Sequence, residues 1–188
     1  AQQAHRAYAH AEALSPCTMA LDILSESAPG EFQSEWVKSA KITVCTLLGE
    51  VKECCGQFED ARHCFEQALE QTNESDRLSR AHLKREIATT FEREHQHQAA
   101  QETLLTDNVN PGDGREMTEL ISIRNKKLWI HYWQGNTDEM TTMIREMDDS
   151  VIAHGTPAQK RQFYSAVAGL ENRLNRFAPS EKTIEASN

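Results

Sequence analysis

Apolar residues along this chain recur at intervals of three and four, the spacing of one helical face, and nowhere alternate over a useful length as a half-buried strand does. The stretch from Gly49 to Leu69 carries the pattern most clearly. Small residues fall where two antiparallel helices must touch, at Gly49, Ala61 and Ala68, while Phe58 and Phe65 fill the gap and Gly56 makes the turn. A helix–turn–helix unit of this kind cannot bury its apolar face alone, so it demands neighbours of the same build.

With that unit as a ruler, the turn at Gly56 recurs at His95, Gly135 and Asn175, a period of about 40 residues. The expected first helices of successive pairs cover roughly 3–14, 33–55, 77–94, 116–134 and 157–174. Their partners cover roughly 17–27, 58–71, 97–106 and 137–153, and a fifth partner starts near Phe177. Matching positions agree in character: Phe58 with His97, Thr137 and Phe177; Ala61 with Ala20, Ala100 and Met140; Phe65 with Leu24, Leu104 and Ile144. The fold class is therefore all-α, a right-handed solenoid of antiparallel helix pairs with about nine helices. It forms one domain over 1–178, with repeats at roughly 1–31, 32–74, 75–114 and 115–155, a partial one at 156–178, and a polar tail at 179–188.

Helix signals refine the boundaries. Ser15-Pro16 has the form of an N-cap followed by proline at the first helical position. Gly155 is placed to end a helix in a left-handed cap, and Thr156-Pro157-Ala158-Gln159 has the form of a capping box. Ala28-Pro29-Gly30 separates the first two pairs, and Asn108 to Gly114 is the longest turn-rich segment.

Composition narrows the function. A net charge of −9 lacks the basic footprint that nucleic acid or an anionic membrane needs in a partner. No apolar run approaches the ~20 residues of a membrane span. The chain opens Ala-Gln-Gln already in a helical pattern, which favours a piece of a longer protein over a secreted form trimmed of its signal. Five cysteines, an odd number without disulfide-framework spacing, suit a reducing cytoplasm.

Catalytic chemistry finds little support. There is no GxxxxGK[ST] loop and no GxGxxG, and Gly112-Asp113-Gly114 follows no strand. His95 and His97 are two apart, whereas ligands on one helical face need a spacing of three or four. Adjacent Cys54 and Cys55 point about 100° apart on a helix, which favours small packing residues over a redox pair. No catalytic residue, cofactor site or metal ligand is expected. The dense aromatic run Trp129, Tyr132 and Trp133 fits core packing between helix pairs better than ligand contact, although such residues also dominate binding hot spots.

The Gly49–Leu69 unit resembles a tetratricopeptide-type repeat. The segment His131-Tyr132-Trp133-Gln134-Gly135, together with His154-Gly155-Thr156-Pro157-Ala158-Gln159, resembles the tetratricopeptide-like regions of large bacterial regulatory ATPases of the STAND type. In that family such regions follow an ATPase module that is often fused to an adenylate or guanylate cyclase, a kinase or a DNA-binding domain. The resemblance implies a bacterial, cytoplasmic signalling protein and a non-catalytic scaffold or sensor that binds a protein or peptide, including a neighbouring domain of its own chain. It also implies that first helices line a concave face. Projected onto this sequence, that face carries Thr46, Glu50 and Glu53, then Arg85, Thr89 and Glu92, then Asn125, Trp129 and Tyr132, with Ser165 and Asn172 beyond. Two alternatives stand beside this reading. One is a homo-oligomerisation module, a homodimer using an apolar face at Phe163, Val167 and Leu170. The other is a small-ligand or peptide-pheromone receptor with a closed pocket at Arg85 and Asn125.

Overall fold

The computed structural model describes residues 14–24, 34–105 and 114–175. Those residues form helices and no strand. They are α1 (14–24), α2 (Ser34–Cys54), α3 (Phe58–Gln71), α4 (Arg77–Arg93), α5 (His97–Leu105), α6 (Gly114–Gln134), α7 (Thr137–His154) and α8 (Pro157–Leu174). From α2 onward these bounds follow the ruler closely. The first expected helix up to residue 13, the Ala28-Pro29-Gly30 separator, the loop from Asn108 to Asp113, Phe177 and the polar tail lie outside the described residues.

The agreement has a physical basis in the turns. Gly56, His95 and Gly135 all take left-handed backbone, with φ of 78°, 60° and 80°. In each, the left-handed residue donates its N–H three residues back, to Glu53, Glu92 and Tyr132. The next residue donates five back: Gln57 to Lys52, Gln96 to Phe91, Asn136 to His131. This pair of bonds is the Schellman motif, which satisfies orphan carbonyls at the helix end and reverses the chain. His95 therefore does the work of the glycine it replaces.

At the fourth expected turn, Asn175 is not left-handed. Asn175 has φ −85° and ψ 13°, close to the −92° and 10° of Glu94, the residue before the left-handed one. Two cap assignments are also corrected. Leu14 is already helical, so Ser15 does not cap α1. Gly155 is extended, with φ −68° and ψ 136°, rather than left-handed. A Cβ there would lie 2.6 Å from the carbonyl oxygen of Val151, so this glycine is required for space. Thr156 is extended too, with φ −64° and ψ 159°, because Pro157 disfavours helical backbone in the residue before it. The capping box itself is present: the Thr156 hydroxyl accepts from the Gln159 N–H, and Gln159 Oε1 accepts from the Thr156 N–H.

The chain divides into two compact units, Ala1–Asp107 and Asn108–Asn188. In the first, α2 packs on α3, α3 on α4 and α4 on α5. Its core joins Cys45, Ala61, Phe65, Ala68, Leu83 and Ile87, with Leu21 of α1 packed against it. Ala61, Phe65 and Ala68 are wholly buried, as the small-and-aromatic pattern required. Gly49 is a true close approach, since a Cβ there would sit 2.6 Å from the Phe65 ring. In the second unit α6, α7 and α8 pack mutually around Ile121, Leu128, Met140, Met147, Val151, Phe163, Ala166 and Leu170. Phe163 and Leu170, which motivated an oligomerisation face, are thus part of this unit's own core.

Polar contacts tie the helices as well. Asp76 caps α4 by accepting from the Ser79 N–H. Arg80 of α4 donates to the carbonyls of Leu69 and Thr72, capping the C-terminus of α3 from outside.

Candidate partner-binding surface

The projected surface residues divide into those that face outward and those that do not. On α2, Glu50 is exposed, while Thr46 spends its hydroxyl on the carbonyl of Ile42. The Glu53 carboxylate is only 18% exposed and lies 3.9 Å from the guanidinium of Arg93 on α4. This pair links the C-terminal ends of α2 and α4. On α4, Arg85 bridges to Glu86 at 2.8 Å and contacts the His82 ring at 2.9 Å, so its charge is engaged along its own helix. Thr89 is buried and donates to the Arg85 carbonyl. Glu92 is half-buried.

The second unit changes the picture more. Asn125 is buried, and its amide donates to the backbone carbonyl of Gln159 on α8. It joins two helices rather than lining an open face. Trp129 and Tyr132 are half-buried and pack against the core cluster. Trp133, four residues from Trp129, is 55% exposed. The aromatic run is therefore split between core and surface. Tyr132 sits edge-on to both tryptophans, with ring centroids 5.3 and 5.1 Å away. The Arg173 guanidinium lies 3.9 Å over its face. Ser165 and Asn172 of α8 are exposed.

Several residues outside the projection organise the molecule. Arg62 of α3 donates to Thr90 at 3.1 Å, pairs with Glu94 and stacks 3.8 Å over the Phe91 ring. Its three contacts all lie on α4 or just beyond its end. Gln159 of α8 donates to the carbonyl of Thr118 and the hydroxyl of Ser122 on α6. A ruler based on helical faces shows neither, because both reach across to a helix whose distance the sequence does not give. The interleaving of arginine with aromatic and acidic residues at Phe91 and Glu94 is the only local trace of the first.

The titratable groups are unremarkable for catalysis. Burial pushes up the thiols of Cys45 and Cys64, which are core residues. Cys54 and Cys55 are exposed at the end of α2, which corrects the expectation that they pack between helices. Partial burial, then the charges of Glu53 and Glu50 with the neighbouring Cys55, raises the Cys54 thiol, so at neutral pH it is the poorly nucleophilic thiol form. Burial lowers the pKa of His131, against the pull of Glu139 and with the push of Lys127. Its Nδ1 lies 3.3 Å from the amide nitrogen of Asn136. His95 and His97 meet edge to face at 6.1 Å. Among the described residues no group of three His, Cys, Asp or Glu side chains could hold a metal ion, and no helix is long and apolar enough to cross a membrane.

What remains for recognition is a set of outward side chains on α2, α6 and α8. Glu50 carries charge in the first unit, and Trp133, Ser165 and Asn172 stand out in the second. Within neither unit do these side chains bring a nucleophile, base and orienting group into hydrogen-bond reach of one another. Comparison with protein-family models, curated proteins and solved structures found no match.

Proposed function

We propose that this chain is a non-catalytic protein- or peptide-binding region, a scaffold or sensor within a larger bacterial signalling protein of the cytoplasm. In this reading its helix pairs stack as a tetratricopeptide-like, right-handed solenoid. The observation that carries the proposal is the recurrence of one left-handed Schellman turn at Gly56, His95 and Gly135. Each joins a long helix to a following one at nearly constant spacing. Repetition of one supersecondary unit is how solenoids build extended recognition surfaces.

The net charge of −9 favours a basic partner. Glu50, exposed on α2, is the side chain best placed to meet it. Charge reversal at Glu50 tests this. In fluorescence-anisotropy titrations against basic, neutral and acidic peptides of equal length, the basic set should bind tightest and lose affinity with added salt. Glu50→Lys should weaken the basic set by about tenfold, a loss of ~1.4 kcal/mol. Equal affinity for all three sets, unmoved by Glu50→Lys, would overturn the charge-led reading.

A further inference from the structure

Arg62 and Arg173 both lie over aromatic rings, and they differ in what their N–H groups meet. Arg62 stands 3.8 Å over Phe91 and spends donors on the Thr90 hydroxyl and the Glu94 carboxylate. Arg173 stands 3.9 Å over Tyr132 and meets neither a carboxylate nor another hydrogen-bond acceptor among the described residues. The neighbouring turns differ at a position that bears on this. Glu94 immediately precedes the left-handed residue His95, whereas the residue before left-handed Gly135 is Gln134. A neutral amide stands there in place of a carboxylate, and its Oε1 accepts from the Asn136 amide.

Arg173 is held in place before any partner arrives. Tyr132 sits edge-on to Trp129 and Trp133, and its ring rests against α8, where a Cβ on Gly169 would come within 3.1 Å of it. Arg173 Nη1 lies 3.8 Å from where a Cβ on Gly135 would stand, so the guanidinium also borders the turn. Contact with the ring uses the face of the guanidinium, while its N–H donors lie in the plane, at the edge. A side chain fixed in advance loses less freedom on binding. Apolar surface adjoins it. Trp133 is 55% exposed with its ring 5.1 Å from that of Tyr132, and Leu174, next in the chain to Arg173, is 59% exposed.

We propose that Arg173, Tyr132 and Trp133 form a docking point for an acidic side chain of a protein or peptide partner, its carboxylate on the guanidinium edge and an apolar neighbour on Trp133. A carboxylate matches the planar fork of a guanidinium, and the Arg62–Glu94 pair shows this chain satisfying a ring-stacked arginine with one. The docking point rests on the reading of the chain as a peptide-binding region, yet it selects the charge opposite to the one Glu50 attracts. On a chain of net charge −9, the overall field repels the group that this one place takes up.

Two peptides with blocked ends test it, identical except for glutamate in one and glutamine in the other, each beside a leucine and with a lysine elsewhere. Overall charge alone favours the glutamine form, which is more positive by one charge. The docking point favours the glutamate form, by about fivefold in anisotropy titrations. Arg173→Gln should reverse that preference, and Arg173→Lys should restore little of it. In the parent protein, the Arg173 Nε–H and Trp133 indole N–H resonances should shift with the glutamate form and stay in place with the glutamine form, which requires no variant to fold. Equal or tighter binding of the glutamine form to the parent would overturn the docking point, as would a glutamate preference that survives Arg173→Gln. A preference that appears only when the peptide's C-terminus is left free would give the fork to a terminal carboxylate and sink the side-chain assignment. If neither form binds while basic peptides of equal length do, the docking point alone fails; if no peptide of any charge binds, the peptide-binding reading fails with it.

Discussion

At the level of single residues, three positions share one backbone conformation and differ in side chain. Gly56 and Gly135 hold φ near 80° without strain, and no atom lies within 4 Å of a Cβ placed on Gly56. Gly56→Ala therefore isolates the conformational penalty, and chemical denaturation should show a loss of about 1 kcal/mol. His95 carries that penalty already. His95→Gly should raise stability by up to about 1 kcal/mol, less the extra freedom glycine gives the unfolded chain. If both substitutions destabilise equally, His95 is held by contacts of its own and the turn equivalence fails. His131 gives a pH dependence of definite sign. Burial lowers its folded pKa below the ordinary value of 6.5. Above 6.5 both states are neutral there and the contribution is complete. As pH falls from 6.5 through the folded pKa, the unfolded chain binds a proton that the folded chain resists, so stability is lost. Protonation would also turn Nδ1 from an acceptor for the Asn136 amide into a donor facing it. Melting curves at pH 7.5 and 5.5 should show a smaller acid loss in His131→Gln than in the parent. An identical loss in both would place the acid sensitivity elsewhere.

At the level of helices and their joints, Arg62 ties α3 to α4 through three contacts of one side chain. Removing it takes a donor from the Thr90 hydroxyl, which keeps its own bond to the Ile87 carbonyl, unpairs the Glu94 carboxylate from Arg62 and uncovers the Phe91 ring. Arg62→Ala should cost about 2 kcal/mol, the scale of a lost hydrogen bond to a charged group together with a cation–π contact. Arg62→Lys should recover little, since an ammonium cannot bond Thr90 and Glu94 at once in the same fork. Full rescue by lysine in urea titrations would mean that charge alone matters. Helix positions were legible in the sequence because the turn chemistry at Gly56 and Gly135 is local, and because period-3.6 patterns need only neighbours along the chain. His95 could be placed only through its spacing from them. The surface was much less legible. Projecting a face assumes equal exposure along it, yet Asn125 is buried by α8 and Thr89 turns back on the Arg85 carbonyl. Trp129 and Trp133 share a face by spacing and differ in burial, because Trp133 lies one residue from the end of α6. Gly155 shows the same limit: a glycine after a helix suggests left-handed backbone, but this one is extended and serves the close approach to the Val151 carbonyl.

For the whole molecule, the two units differ in how their helices associate, sequentially in Ala1–Asp107 and as a mutual three-helix cluster in Asn108–Asn188. Each has an apolar centre built from its own side chains: Phe65 is wholly enclosed in the first, and Phe163 is 1% exposed in the second. Truncating a buried phenylalanine removes its contacts and leaves a cavity that the surroundings only partly fill, at a cost of roughly 3–5 kcal/mol. If the cores are energetically separate, that cost stays in the unit that bears it. Native-state hydrogen exchange reads this amide by amide. Phe65→Ala should lower the protection of α2, α3 and α4 by on the order of a hundredfold or more, while α6, α7 and α8 stay near their parent values. Phe163→Ala should do the reverse. A loss shared by all six helices in either variant would mean that the chain unfolds as one cooperative block. Two separable units could open one at a time, and a single block could not, so the same measurement decides whether a perturbation in one unit is felt in the other.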